Sequence, residues 1–328
     1  MRILALSDRA GLEFQSGQVH YANCLSGIEV NLCCDMSLRQ VEQALISENY
    51  DGVFLSSTLS DRQVWTSGGP TFWDVLHYQG QDYIGSCAND LMLFRDKALS
   101  DLRAGIGLPS RIITRSFWNR RRSEALELMR NLTFPFTLES NLTSVPINGA
   151  TVYSEADAVR EADLLFQRNT ELTEILVRKH PVHGRKYTVF VFGNGDSLVC
   201  CPIIIDPYAS KQRTFPTAYP MGCPIVNDAG LAGRLTHCAG TLAQVFSVRD
   251  YCQLDFLVDT YQNIYFTGID AVPCLNKISA YVCTGAIPFR SEQVLTLLLL
   301  IFFQRTGRPV SDSLLHEFPK SLLEQLGF

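Results

Sequence analysis

Leu254-Asp255-Phe256-Leu257-Val258-Asp259-Thr260-Tyr261-Gln262-Asn263-Ile264-Tyr265-Phe266-Thr267-Gly268-Ile269-Asp270 is a pair of apolar runs around a polar turn. The pattern predicts a hairpin of strands Tyr251–Val258 and Ile264–Thr267, whose far ends place Asp255 and Asp270 on neighbouring strands or their margin. Upstream, Gly193-Asn194-Gly195-Asp196 is a hairpin signal between strands Lys186–Phe192 and Ser197–Ile205. The last part of the chain is therefore mainly antiparallel. Residues 206–227, rich in Pro, Tyr, Thr and Gly, form a loop long enough to act as a functional lid.

The first ninety residues read differently. Strands Ile3–Leu6, Glu29–Leu32, Gly52–Leu55 and Tyr83–Ile84 alternate with helices Ser37–Glu48 and Thr71–Tyr78, which implies a parallel sheet with crossover helices. Ser37 can cap its helix with Gln40 three residues on, and Leu38, Val41, Leu45 and Ile46 lie on one face. No G-x-G-x-x-G follows the first strand, so the dinucleotide fingerprint is missing. A helix from Asp90 to about Arg103 stops at Gly105-Ile-Gly107-Leu108-Pro109, before strand Arg111–Thr114. Ser116 to Arg130, with Arg120, Arg121 and Arg122 in a row, reads as a solvated face. Strand Phe134–Leu138, helix Ser154–Phe166 and strand Glu174–Val177 complete the middle. Helices Ala229–Phe246, Ser291–Gln304 and Ser311–Gly327 occupy the last third.

Bulk properties narrow the classes. At 328 residues, with 46% hydrophobic and 19% charged residues, the chain suits two or three folded units and not disorder. A net charge of −5 offers no basic field for nucleic acid. The apolar run Val294 to Phe303 is too short to span a bilayer and reads as a buried helix; no signal-peptide pattern opens the sequence, so a cytoplasmic location is expected. Eleven cysteines contain no C-x-x-C pair and fit buried thiols in a reducing compartment. Asn131-Leu-Thr133 and Asn141-Leu-Thr143 match the glycosylation sequon by chance. His180 and His183 lack a third ligand and are assigned no metal.

Taken in order, Tyr50-Asp51-Gly52-Val53-Phe54, Tyr83-Ile84-Gly85-Ser86, Asp96-Lys97, Gly107-Leu108-Pro109, Gly184-Arg185-Lys186-Tyr187-Thr188-Val189 and Leu254-Asp255-Phe256-Leu257-Val258-Asp259 carry a likeness over nearly the whole chain. Their order and spacing resemble the D-alanine–D-alanine ligase branch of the ATP-grasp superfamily. The resemblance implies an α/β ATP-grasp fold in three parts. Residues 1–90 would be an N-terminal doubly wound parallel-sheet domain, 91–185 a central α+β subdomain, and 186–328 a mainly antiparallel α+β subdomain carrying the lid.

It also implies a chemistry: ATP activates a carboxylate as an acyl phosphate, an amine attacks it, and Mg2+ with basic side chains bears the developing charge. By resemblance Lys97 and Lys211 contact phosphates, Asp255 and Asp270 hold a single Mg2+, Ser279 meets the second substrate and Glu13, in the first loop, a substrate amine. Departures from the family pattern accompany these. Glu139 stands where a second phosphate-binding lysine is expected, Arg178 or Lys179 and then Lys186 where the nucleotide-holding glutamates are, Gln253 at the oxyanion arginine and Gly268 at the bridging metal glutamate. Pro146 interrupts the glycine-serine loop over the phosphates.

Two readings follow. One is an ATP-dependent carboxylate–amine ligase joining an amino acid to a substrate in a biosynthetic pathway; the other is a catalytically degenerate protein of this fold acting as a binding or partner subunit. In either case the expected partners exclude nucleic acid and membrane, and the family likeness suggests a homodimer through the first domain.

Overall fold

The computed structural model describes residues 1–7, 12–25, 27–56, 71–142, 149–180, 183–205, 226–282 and 287–328, without the side chains of 12–16, 205, 276, 277 and 280. The expected lid falls almost wholly outside the described residues, and the glycine-serine loop with Pro146 falls outside them as well. The chain divides into two compact units, one of residues 1–91, 188–254 and 270–328, the other of 92–187 and 255–269.

In the first unit, β1 (Arg2–Ser7), β2 (Glu29–Cys34), β3 (Gly52–Leu55) and β4 (Tyr83–Ile84) form a parallel sheet in the order β2-β1-β3-β4. Ile3 pairs with Val30 on one side and Gly52 on the other, and Val53 pairs with Tyr83. This is the parallel sheet that strand–helix alternation predicted. Helix α1 (Leu12–Asn23) joins β1 to β2, so the first loop of the sequence reading is helical and Glu13 lies on it. Helix α2 (Leu38–Ser47) starts on the expected capping box of Ser37 and Gln40 and buries Val41, whereas Ile46 is 68% exposed. Helix α3 (Phe72–Tyr78) starts on a second capping box, Thr71 with Asp74.

Helix α11 (Val294–Arg305) is buried at every position from Val294 to Phe303. It packs against β4, and Phe302 lies over Gly52, where an added Cβ would come within 2.5 Å of its ring. Asp250 is fully buried beside Gly85, the residue that follows β4. Its carboxylate accepts from Gly85 N at 2.8 Å, Asn194 Nδ2 at 3.0 Å, and Arg305 Nε and Nη2 at 2.8 and 2.9 Å.

In the second unit, β5 (Ser110–Thr114), β6 (Phe136–Ser140), β7 (Ala150–Val152) and β8 (Glu174–Lys179) form an antiparallel sheet in the order β5-β8-β6-β7. The predicted helix around Asp96 is two helices, α4 (Ala88–Arg95) and α5 (Lys97–Ala104). Asp96 is extended and accepts from Leu99 N as the cap of α5, which ends on Gly105 at φ 69°. The arginine-rich stretch is helical too, as α6 (Arg115–Arg120) and α7 (Arg122–Arg130). These helices, with α8 (Glu155–Arg168), close a core of Trp118, Met129, Phe136, Phe166 and Val177.

A third, antiparallel sheet has the order β10-β9-β11-β12, with β9 (Arg185–Asn194), β10 (Ser197–Ile205), β11 (Tyr251–Val258) and β12 (Ile264–Asp270). The β9–β10 turn needs glycine at 193, since φ is +115° and a Cβ would meet Ser197 O at 2.0 Å. Helix α9 (Ala229–Val245) packs on β10. The remaining helices are α10 (Leu275–Val282), α12 (Asp312–Leu315) and α13 (Lys320–Gln325), the last two separated at Phe318-Pro319 where one helix was expected. Among the described residues no helix is long and apolar enough to cross a membrane.

Candidate functional site

The antiparallel register of the second unit sets Thr137 opposite Arg178 and Glu139 opposite Leu176. Thr137 and Glu139 share a face of β6, so Arg178 points to the face that carries Glu139 and reaches it diagonally. Lys179, one residue on, turns the other way, and its Nζ is bound by the carbonyl of Thr133 at 3.0 Å and by the Thr133 hydroxyl.

The end of β6 also fixes helix α5. Asn141 is fully buried; its carbonyl accepts Lys97 N at 3.0 Å and its Oδ1 accepts Ala98 N at 3.0 Å. Its Nδ2 donates to Asp96 at 3.0 Å and to Glu174 at 2.6 Å. These bonds hold Lys97, the first residue of α5, beside Glu139, and put Asp101 one helical turn further along.

The result is a four-residue ion cluster. Lys97 Nζ stands 2.5 Å from Glu139 Oε2, and Arg178 Nη1 donates to Glu139 Oε1 at 2.9 Å. Arg178 Nη2 and Nε both donate to Asp101 Oδ2, at 2.7 and 3.1 Å, while Nη1 also reaches the carbonyl of Thr267 at 3.2 Å. Arg178 and Asp101 are buried, with side chains 7% and 5% exposed, whereas Lys97 and Glu139 keep 20% and 18% exposure and so form the accessible rim. Gly107 makes room for this packing, because a Cβ there would lie 2.8 Å from Asp101 Cβ.

Burial pushes the Asp101 carboxyl up to about 6, against the pull of the Arg178 guanidinium; Glu139 adds to the rise and Lys97 opposes it. Asp101 Oδ1 is buried without a hydrogen-bond partner. Asp101 and Asn141 were missed by sequence reasoning. The one signal for Asp101 was its spacing of four residues from Lys97.

Lys186, on β9, is exposed. β11 carries Gln253, which is 2% exposed, and Asp255; β12 ends at Asp270, whose Oδ1 accepts Val272 N at 3.2 Å across the turn. Ser279, on α10 in the first unit, is fully buried, accepts from Gln18 Nε2 at 2.9 Å and donates to Ser291 O at 3.4 Å. Gln18, on α1, was not anticipated; its Oε1 is buried without a partner. The side chain of Glu13 and the whole of Lys211 lie outside the described residues. Among the described residues no group of three or more His, Cys, Asp or Glu side chains is gathered to hold a metal.

No family model matches the sequence, and no curated protein matches it. Solved structures do. A D-alanine–D-alanine ligase from Bacillus anthracis, complexed with ATP, superposes with a TM-score of 0.63 at 14% identity, over 94% of this chain and 100% of that one. The VanG D-Ala:D-Ser ligase from Enterococcus faecalis gives 0.67 at 15% identity, over 92% and 99%. The fold is that of the D-alanine–D-alanine ligases. Another D-alanine–D-alanine ligase, from Coxiella burnetii, gives 0.64 at 14% identity, over 94% and 95%.

The resemblance implies a phosphate contact at Lys97; a nucleotide phosphate does not fit the cluster as it stands, because the Lys97 ammonium and one guanidinium nitrogen of Arg178 are both engaged by the carboxylate of Glu139.

Proposed function

We propose that this chain uses the D-alanine–D-alanine ligase fold as a catalytically degenerate binding or partner subunit, working without ATP-driven ligation. The observation that carries this reading is the closed ion cluster: the cations Lys97 and Arg178 are offset by the carboxylates Glu139 and Asp101, so the cluster brings no net positive charge to an anionic ligand. Gln253 at the expected oxyanion arginine and Gly268 at the expected metal glutamate support it from β11 and β12. Isothermal titration with ATP and a non-hydrolysable analogue, each with and without Mg2+, tests it. No magnesium-dependent binding is expected; such binding together with ADP release in the presence of amino acids overturns the reading.

That overturning result would favour the second reading, a cytoplasmic ATP-dependent carboxylate–amine ligase acting on amino acids, with Mg2+ held by Asp255 and Asp270. The carboxylates retained at these positions and the fold shared with D-Ala–D-Ala and D-Ala:D-Ser ligases favour it. In that case Asp255→Asn abolishes turnover with the fold intact.

A further inference from the structure

We propose that Glu139 is a built-in anionic ligand: its carboxylate fills an oxyanion position made by Lys97 and Arg178 and thereby excludes phosphate-bearing molecules from it. The proposal rests on the reading that the native chain does not bind ATP, and it names the residue responsible.

The geometry is that of an occupied anion site. Lys97 and Arg178 come from different elements, helix α5 and strand β8, and converge on the two oxygens of one carboxylate, Lys97 on Oε2 at 2.5 Å and Arg178 on Oε1 at 2.9 Å. A carboxylate and a phosphate present oxygens of similar charge to such donors, and an arginine with a lysine is a common pair for either. The position is held in place independently of its occupant. Asn141 fixes the start of α5 through both its carbonyl and its side chain. Asp101 holds the Nε and Nη2 edge of the guanidinium, and the Thr267 carbonyl accepts from Nη1 beside Glu139. Removing the Glu139 charge therefore leaves two positioned cations facing one buried carboxylate, with the partly exposed Lys97 still open to solvent.

The test compares wild type with Glu139→Gln, which keeps the shape and removes the charge, by isothermal titration with inorganic phosphate, pyrophosphate and magnesium-free ATP. Glu139→Gln is expected to bind pyrophosphate at least about tenfold more tightly than wild type, the scale of one added charge-assisted hydrogen bond. Adding Lys97→Met to Glu139→Gln is expected to abolish the gain. Gains with phosphate, pyrophosphate and ATP alike assign the position to a phosphate group of any origin; a gain with ATP alone assigns it to a nucleotide. A folded Glu139→Gln protein with wild-type affinity for all three overturns the proposal, as does a gain that survives Lys97→Met. If Glu139→Gln does not fold, Glu139→Asp, whose carboxylate falls one methylene short of the cations, is expected to show a smaller gain, and wild-type affinity there is equally fatal. Magnesium-dependent ATP binding with ADP release by the wild type would overturn the functional reading, whereas the present inference is decided by the difference between variants.

Discussion

Arg178 and Asp101 form a buried ion pair in which two guanidinium nitrogens converge on a single carboxylate oxygen, at 2.7 and 3.1 Å. Removing the cation from such a pair leaves two carboxylates, Asp101 and Glu139, without their shared counter-charge. Arg178→Met is expected to destabilise the chain by about 3–5 kcal/mol, the cost of stranding a buried charge. The urea unfolding midpoint, with probes in the second unit, reads it. Adding Asp101→Asn to Arg178→Met should recover part of the loss, and a double variant no more stable than the single would contradict the pairing.

The same carboxyl predicts a pH dependence. Asp101 is raised from 3.8 to about 6 by burial, so between those values the folded chain holds a proton that the unfolded chain has released. Stability from this group is therefore fully present below about pH 4 and is lost as pH rises through about 6, by on the order of 3 kcal/mol. Unfolding free energies measured at intervals from pH 4 to 7 should fall more steeply for wild type than for Asp101→Asn. Parallel curves would show that Asp101 does not titrate in that window.

Asp250 anchors the first unit with four donors on a fully buried carboxylate. Asp250→Ala leaves Arg305, itself 22% exposed at the side chain, without its carboxylate partner, and is expected to cost about 3 kcal/mol or more. Asp250→Asn retains one acceptor oxygen and the side-chain volume, and should cost less than Asp250→Ala. Thermal melts of the two variants test this ordering.

Gly52 is close to Phe302 for want of a side chain. Gly52→Ala would force the Phe302 ring, 2.5 Å away, out of its place in α11, at a cost of about 1–3 kcal/mol. A melting temperature unchanged from wild type would show that the ring yields freely.

Much of the fold was legible because it is written in short-range pattern. Strand–helix alternation predicted the parallel first sheet, the Ser37 and Gln40 pair started α2, and the apolar run from Val294 became a buried helix. The helices of 115–130 were not legible. Their buried side chains, Trp118, Ala125 and Met129, are widely spaced among arginines, and one of those arginines, Arg122, stacks over the Trp118 ring with its guanidinium carbon 4.7 Å from the centroid. A stripe that narrow looks like a solvated face until the facing sheet is known.

The candidate site divides the same way. That Glu139 reverses an expected charge was readable at its own position, but that it engages Lys97 and Arg178 together depends on sheet register and on Asn141, which joins elements far apart in sequence. The break at Asp96 belongs with these: an aspartate inside a helical pattern reads as continuous helix, and its role as the cap of α5, tied to Asn141, emerges only from the structure.

Helix α11, which packs on β4 and brings Phe302 over Gly52, stands near the far end of the polypeptide from the sheet it serves. A ribosome that has finished β3 at Leu55 must add everything up to Val294 before that helix exists, a delay of roughly 10–50 s at ordinary elongation rates. Throughout that interval the face of the sheet at Gly52 waits for its final cover, and slowing translation between Leu55 and Val294 should raise aggregation of the nascent chain.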